Sequence, residues 1–406
     1  MGAVLAGIAL SYVSSFGQNF LLAVFGGEIR AAFGLSNGGF GLLYTGVTLT
    51  SAALLIMLAR ATDRLPVSLM AGVTLGMLAG AAALLAVSWH VAVLGLALLL
   101  LRLFGQGMAM QLSATAVARW FGKGSRGRAL GAAGIGNPLG EASLPLLAVL
   151  LMAAVGWRQT WMLAAVALLV VAVPLVLLMR QVERGGVGVE ATSASAAEHV
   201  EASWSMTQAL RHPAFYLVLP GLLAPITINV AVFFHQVALT EAKGWDPAWF
   251  VASYPVSAGA TVLATLTAGW LIDRFSAVRM LPFVLLPMLV AVLLLAFGTH
   301  PAVIPAYLGL AGIGMGVVMP LQAATLVEMF GAAHFGTIRS VVVAANVLLG
   351  ALGPGIAGVL VDLGVSFSAQ LLGMAGYLVV CSLLLLAGRT SGARVAARRQ
   401  ASINPA

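Results

Sequence analysis

Charged residues and turn formers cut this chain into twelve apolar segments, each close to the length that a helix needs to cross a bilayer. A span of ~30 Å of hydrocarbon takes about 20 apolar residues at ~1.5 Å per residue. In the first half the segments run approximately from Ala3 to Gly26, Gly38 to Ala59, Pro66 to Ser88, Val91 to Val117, Ala129 to Ala153 and Arg158 to Met179. In the second half they run from Ala214 to Leu239, Ala248 to Ile272, Ala277 to Phe297, Ala302 to Val327, Thr337 to Val361 and Ser366 to Leu386. Composition agrees, with 61% hydrophobic and 8% charged residues and a mean hydropathy of +1.05. A water-soluble domain carries roughly 25% charged residues. The chain is therefore expected to be an all-α membrane protein. Its first segment, which begins at Ala3 without a basic n-region, is read as a retained span rather than a cleaved signal.

One long polar stretch interrupts the series, from Arg180 to His212, with Glu183, Arg184, Glu190, Glu198, Glu201 and a small-residue run from Ala191 to Ala197. It divides the chain into an N-terminal six-helix bundle (1–180), a cytoplasmic linker (181–212), a C-terminal six-helix bundle (213–390) and a basic cytoplasmic tail (391–406). Trp204 to Leu210 is a candidate interfacial helix. Sixteen of the twenty Lys and Arg residues fall on the side that holds the termini and the linker. That asymmetry predicts cytoplasmic termini in a cytoplasmic (inner) membrane. Because the basic residues are scattered, the net charge of +8 marks orientation rather than a nucleic-acid partner. The single cysteine, Cys381, excludes an intramolecular disulfide and a cysteine metal cluster.

The two halves repeat each other. A shift of 210 residues superposes Asn19, Gly34, Phe40, Tyr44, Asp63, Arg64 and His90 on Asn229, Gly244, Phe250, Tyr254, Asp273, Arg274 and His300. A shift of 209 pairs Gly107, Phe121, Gly127 and Asn137 with Gly316, Phe330, Gly336 and Asn346. An offset of six spans keeps the membrane orientation of each half the same, which predicts a pseudo-twofold axis along the membrane normal.

Two turns carry a recognisable signature. Ala59-Arg60-Ala61-Thr62-Asp63-Arg64 stands between the second and third segments, and Gly269-Trp270-Leu271-Ile272-Asp273-Arg274 between the eighth and ninth. Both resemble the loop motif of the major facilitator superfamily, and the second copy, with its glycine, is the fuller match. Arg102-Leu103-Phe104-Gly105-Gln106-Gly107 is similar to the arginine-glycine motif of that superfamily's fourth helix, with the glycines one position closer to the arginine. The loop Arg119 to Gly131 and its counterpart Met329 to Ser340 resemble those of the bacterial monocarboxylate and organic-anion branch, which includes oxalate–formate antiporter-like proteins. The resemblance implies twelve transmembrane helices in two six-helix bundles, alternating access, and a central cavity lined by the first, fourth, seventh and tenth helices. It also implies a conformational latch formed by Asp63, Arg64, Gly269, Asp273, Arg274, Arg126 and Arg339. Glycine-proline patterns in the fifth and eleventh segments allow bending and close helix contact, and no antiport is read from them.

Ionised residues inside a span cost at least ~2.5 kcal/mol and are normally paired or face a polar cavity. Arg102 and Glu141 fall near mid-membrane on consecutive segments. They are expected either to exchange partners, with Glu141 coupling transport to protons, or to form a permanent structural pair. By resemblance the substrate-binding candidates are Arg102, Gln18, Asn19 and Asn229, joined by Gln111, Tyr44 and Tyr254. The two tyrosines serve equally well as packing residues. His235 is read as an outer gate or proton-access residue, or else as an interfacial histidine behind Phe233 and Phe234. Asn137 and Asn346 are read as interhelical hydrogen-bonding residues.

No P-loop, HExxH or GxSxG motif is present, so the chain reads as a transporter without enzyme activity, cofactor or metal. The expected partners are a small, anionic substrate, a proton or counter-ion and the lipid bilayer, with the protein acting as a monomer. Symport or exchange of a small organic anion is the first reading, and proton-coupled export of amphipathic or aromatic compounds the second. A channel or receptor is the rival of another class, and it lacks a repeated filter segment.

Overall fold

The computed structural model describes residues 2–121, 123–184, 204–331 and 334–403; side chains at 59–64, 123, 124, 126, 127 and 391–403 lie outside this description. The latch side chains of Asp63, Arg64 and Arg126 therefore lie outside it, as does most of the linker expected at 181–212. The described residues are helical and contain no strand.

The first span, α1, is a bent pair of helices, Gly2–Gly17 and Asn19–Phe33. It is followed by α2 (Asn37–Leu58), α3 (Val67–Ala86), α4 (Val91–Trp120), α5 (Arg128–Val155) and α6 (Trp157–Arg184). The second series is α7 (Pro213–Phe234), α8 (Pro247–Phe275), α9 (Ala277–Phe297), α10 (Val303–Phe330), α11 (Phe335–Asp362) and α12 (Phe367–Thr390). Eleven spans, or twelve when the bent pair counts as one, agree with the twelve apolar segments of the sequence.

Several boundaries differ from expectation for identifiable reasons. The first span continues beyond Gly26 to Phe33, where Gly34 at φ 62° adopts the left-handed conformation that closes a helix. The sixth continues through Arg184, because no glycine or proline occurs between Met179 and Gly185 to stop it earlier. A short helix does form near Trp204, as Met206–Arg211, started by a capping box in which Ser205 and Gln208 exchange hydrogen bonds. The basic tail expected beyond residue 390 continues the last helix to Ile403.

By contact the chain groups into two units. The first comprises Met1–Ala191 with Val232–Pro255 and Pro354–Leu363, and the second comprises Thr192–Ala231, Val256–Gly353 and Gly364–Ala406. These units are not the sequence repeats, because short pieces of the second repeat pack on the first at the end where α1 joins α2. There Gly358 meets the backbone of Asn37, and the Asp362 carboxylate accepts the Gly38 N–H at 2.9 Å. Asp362 thus caps the start of α2. Phe234 stacks on Phe40 at 4.9 Å between ring centroids.

Within the second unit α8 and α10 touch along small residues. The hydroxyls of Thr261 and Thr265 donate to the Gly312 and Gly316 carbonyls at 3.2 and 3.1 Å. Trp204 ties the end of the linker to α10, donating its backbone N–H to the Phe330 carbonyl at 2.9 Å.

Each unit also closes one turn with a carboxylate from another helix. In the first, Glu183 at the end of α6 accepts the Ser68 N–H at 3.0 Å and the Ser68 hydroxyl, capping α3. In the second, Glu328 on α10 accepts the Ser276 hydroxyl and the Ala277 N–H, the latter at 2.9 Å, capping α9. Ser276 is the one non-glycine among the described residues with positive φ, at 73°, and Glu328 holds it there. Neutral Glu328→Gln loses a charge-assisted cap of about 1–2 kcal/mol. The melting temperature of the purified protein is expected to fall by several degrees in Glu328→Gln and to stay unchanged in a conservative substitution of exposed Glu241.

Candidate functional site

The break in α1 organises the site. Ser14–Gly17 forms a 3₁₀ turn, Gln18 is extended at φ −82° and ψ 152°, and helix resumes at Asn19 with a bend of 44°. A backbone irregular at this depth is tolerated only where protein or a cavity covers it. Protein covers this one. Opposite the break, α4 is a π-helix over Leu101–Ala109, the stretch that carries the arginine-glycine motif. Gly17 and Gly105 let the two backbones touch: a Cβ on Gly105 would lie 2.6 Å from the Gly17 nitrogen. On the other side α5 closes in through Gly140, whose Cβ would collide with the Ser15 side chain.

Arg102 sits on this π-helical turn and is 7% exposed. Its Nη1 donates to the Gly17 carbonyl at 3.2 Å. The guanidinium lies over the Tyr44 ring, 5.0 Å from its centroid, and Nε has no hydrogen-bond partner among the described residues. Phe234 covers another side of Tyr44 at 4.5 Å between centroids. The Tyr44 hydroxyl is buried near Thr48, one turn along α2, outside hydrogen-bond geometry. The site is thus a buried cation with an open N–H edge beside an unsatisfied hydroxyl.

Across the break, Tyr254 holds the other half of α1. Its hydroxyl proton is shared between Gln236 Oε1 at 2.6 Å and the Phe20 carbonyl at 3.2 Å. The two repeat-related tyrosines therefore differ: Tyr254 is committed to protein acceptors, while the Tyr44 hydroxyl is open.

The remaining candidates separate by position. Asn19 is buried at the restart of α1, Gln18 is half-buried in the extended link and Gln111 is exposed on α4. Asn229 is half-buried on α7 and belongs to the second unit. Glu141 is half-buried on α5, directly after Gly140. The described partners of Arg102 are the Gly17 carbonyl on α1 and the Tyr44 ring on α2.

His235 is 5% exposed, and its Nε2–H donates to the Pro354 carbonyl at 2.8 Å. In the second unit Asn346 donates to Gln322 Oε1 at 3.4 Å, an interhelical bond between α11 and α10. Sequence reasoning missed Gln322, although a glutamine in the apolar run after Pro320 is a visible signal.

The latch expected at the second signature turn is not closed among the described residues. Asp273 and Arg274 are exposed, and the Arg274 guanidinium lies over Trp270 and Phe275 at 5.5 and 5.7 Å. A Cβ at Gly269 would meet no atom of the described residues within 4 Å. Arg339 is exposed, with its guanidinium over Phe335 at 5.7 Å. The turn is held by Glu328, which the signature does not include.

Away from Arg102, a groove of about 300 Å³ lies among α1, α5 and α6, lined by Phe16, Phe25, Leu147, Trp161 and neighbouring apolar residues. Almost no polar surface enters it.

These features define a polytopic helical membrane protein with a broken span and a buried cation beside the break, the architecture of a secondary transporter. The chain belongs to the Major Facilitator Superfamily, whose model matches residues 8–354 and 248–404. Solved structures agree on the fold. A bacterial homologue of the human lysosomal transporter Spinster, inward-facing and unoccupied, matches with a TM-score of 0.66 at 16% identity, covering 98% of this chain and 95% of that one. The nucleoside transporter NupG matches with a TM-score of 0.67 at 16% identity, covering 96% and 99%. No curated protein matches the chain in sequence.

Proposed function

We propose that this transporter moves a small organic anion of the monocarboxylate type, coupled to protons or to exchange. One observation carries the reading: the Arg102 guanidinium is buried, its described partners are a neutral carbonyl and a ring face, and its Nε is open. A buried cation without a matched anion is costly. A carboxylate on the Nε edge supplies the missing charge and fits the planar fork in bidentate fashion.

The Tyr44 hydroxyl stands ready as a second donor, with Gln18, Asn19 and Gln111 of the first unit as further polar candidates. Glu141 is the candidate proton acceptor, while His235, bonded to Pro354, belongs to the gate at the α1–α2 end. The charge asymmetry of the loops supports cytoplasmic termini, an inner-membrane location and an outward position for that gate. A monomer remains the working assembly.

Export of an amphipathic or aromatic compound is the second reading, favoured by the apolar groove beside Phe16 and Trp161. Counterflow into proteoliposomes separates the two. Labelled lactate, oxalate or benzoate is expected to accumulate transiently when the lumen holds the same unlabelled acid, with an imposed pH gradient changing the yield. Counterflow of lipophilic cations but of no carboxylate would replace the first reading by the second. Conductance without saturation would remove both.

A further inference from the structure

The stretch Ser14-Ser15-Phe16-Gly17-Gln18-Asn19 holds no proline; its serines and glycine permit a kink without imposing one. In a continuous helix the Gly17 carbonyl would accept the N–H of Leu21, four residues on. It accepts Arg102 instead. The guanidinium thus takes the place of a backbone donor, and the break leaves it a helix C-terminal carbonyl, an acceptor that favours a cation. Yet a neutral carbonyl is the weaker of the partners a guanidinium can take, because a charged acceptor makes hydrogen bonds roughly twice as strong.

We infer that the Gly17 carbonyl is a stand-in for the substrate anion, so that an anion arriving on Arg102 releases it and α1 straightens across residues 14–18. The inference rests on the reading of Arg102 as the anion site. The change required is small in the backbone: Gln18 leaves its extended ψ of 152° for the helical region, and the Gly17 carbonyl regains Leu21. Slack for it exists in α4, whose π-helical turn over Leu101–Ala109 lies against Gly17. Tyr254, bonded beside Phe20, holds the far half of α1 while the near half moves. The bend in α1 then reports whether the site is occupied.

Spin labels on either side of the break test this. Cys381 is buried and is replaced by serine, and labels are placed at exposed Leu5 and Ala32 as Leu5→Cys and Ala32→Cys. Loss of the 44° bend lengthens the distance between the two label sites by about 3 Å, at ~1.5 Å of rise per residue. Acetate, lactate, oxalate and benzoate are added at millimolar concentration, and binding is scored by thermal stabilisation that Arg102→Gln removes. The expected result is a shift to the longer distance with each acid that binds. Arg102→Gln is expected to show the longer distance without any acid and no response to one. If an acid stabilises the protein through Arg102 and the distance stays put, the stand-in inference is overturned while the anion reading stands. An Arg102→Gln protein that keeps the shorter distance overturns it equally. If none of the acids stabilises the wild type, the anion reading fails and takes the inference with it.

Discussion

Carboxylate uptake into proteoliposomes is expected to fall at least ~100-fold in Arg102→Ala, because two hydrogen bonds to a charged group contribute about 1.5–3 kcal/mol each. Arg102→Lys should recover little. A lysine keeps the charge but loses the planar fork, the Nε edge and the stacking over Tyr44, 5.0 Å below the guanidinium. An uptake loss of ~10-fold or more is expected for Lys, with most of the effect in KM if Arg102 acts as a binding residue. Tyr44→Phe removes only the open hydroxyl and should cost far less than either. An Arg102→Lys protein with wild-type uptake would mean that position 102 supplies charge alone.

The second large effect is steric. A Cβ at Gly17 would run into the Leu101 carbonyl and the Gln106 nitrogen, and both are backbone atoms that no rotamer change can move aside. Inserting a methyl group into so tight a contact costs about 1–3 kcal/mol. Gly17→Ala is therefore expected to lower the melting temperature markedly and to abolish uptake, because α1 must part from α4 and the packing that places Arg102 beside the break is lost. Gly76→Ala and Gly80→Ala are the matched controls. A Cβ at either meets nothing within 4 Å, and alanine is the better helix former, so both should melt at or slightly above the wild-type temperature. Wild-type melting and uptake in Gly17→Ala would remove the α1–α4 contact from the account.

What the sequence discloses about this molecule is uneven, and the unevenness has physical causes. Spans of about twenty apolar residues are dictated by the bilayer, so all of them are legible, as are the repeat and the family signature. The break in α1 is not, because Ser14 to Asn19 contains no residue that forbids a helix. Its cause lies in a donor on another span. The π-helical turn at Arg102 is hidden for the same reason.

Repeat symmetry also misleads in one instructive place. Tyr44 and Tyr254 look equivalent, yet Gln236, which holds the Tyr254 hydroxyl, corresponds at the 210-residue shift to Gly26, which has no side chain. The Tyr44 hydroxyl is left open by that one difference. The carboxylate caps are a further case. Glu183 and Glu328 cap the helices that follow the two signature turns, and they do so from α6 and α10, distant in sequence from the turns they close. A glutamate at a helix end carries no local sign of which helix start it will reach.

The claim that Arg102 receives the charge of the substrate is tested most directly by an acid and its own amide. The carboxylate that stabilises the purified protein most is compared with the matching primary amide, which has nearly the same shape and no charge, in the wild type and in Arg102→Gln. The account predicts that the wild type binds the acid at least ~10-fold more tightly, since a charge-assisted pair exceeds a neutral one by more than about 1.4 kcal/mol, and that Arg102→Gln binds the two alike. Equal affinity in the wild type, or a preference for the acid that survives in Arg102→Gln, would contradict it.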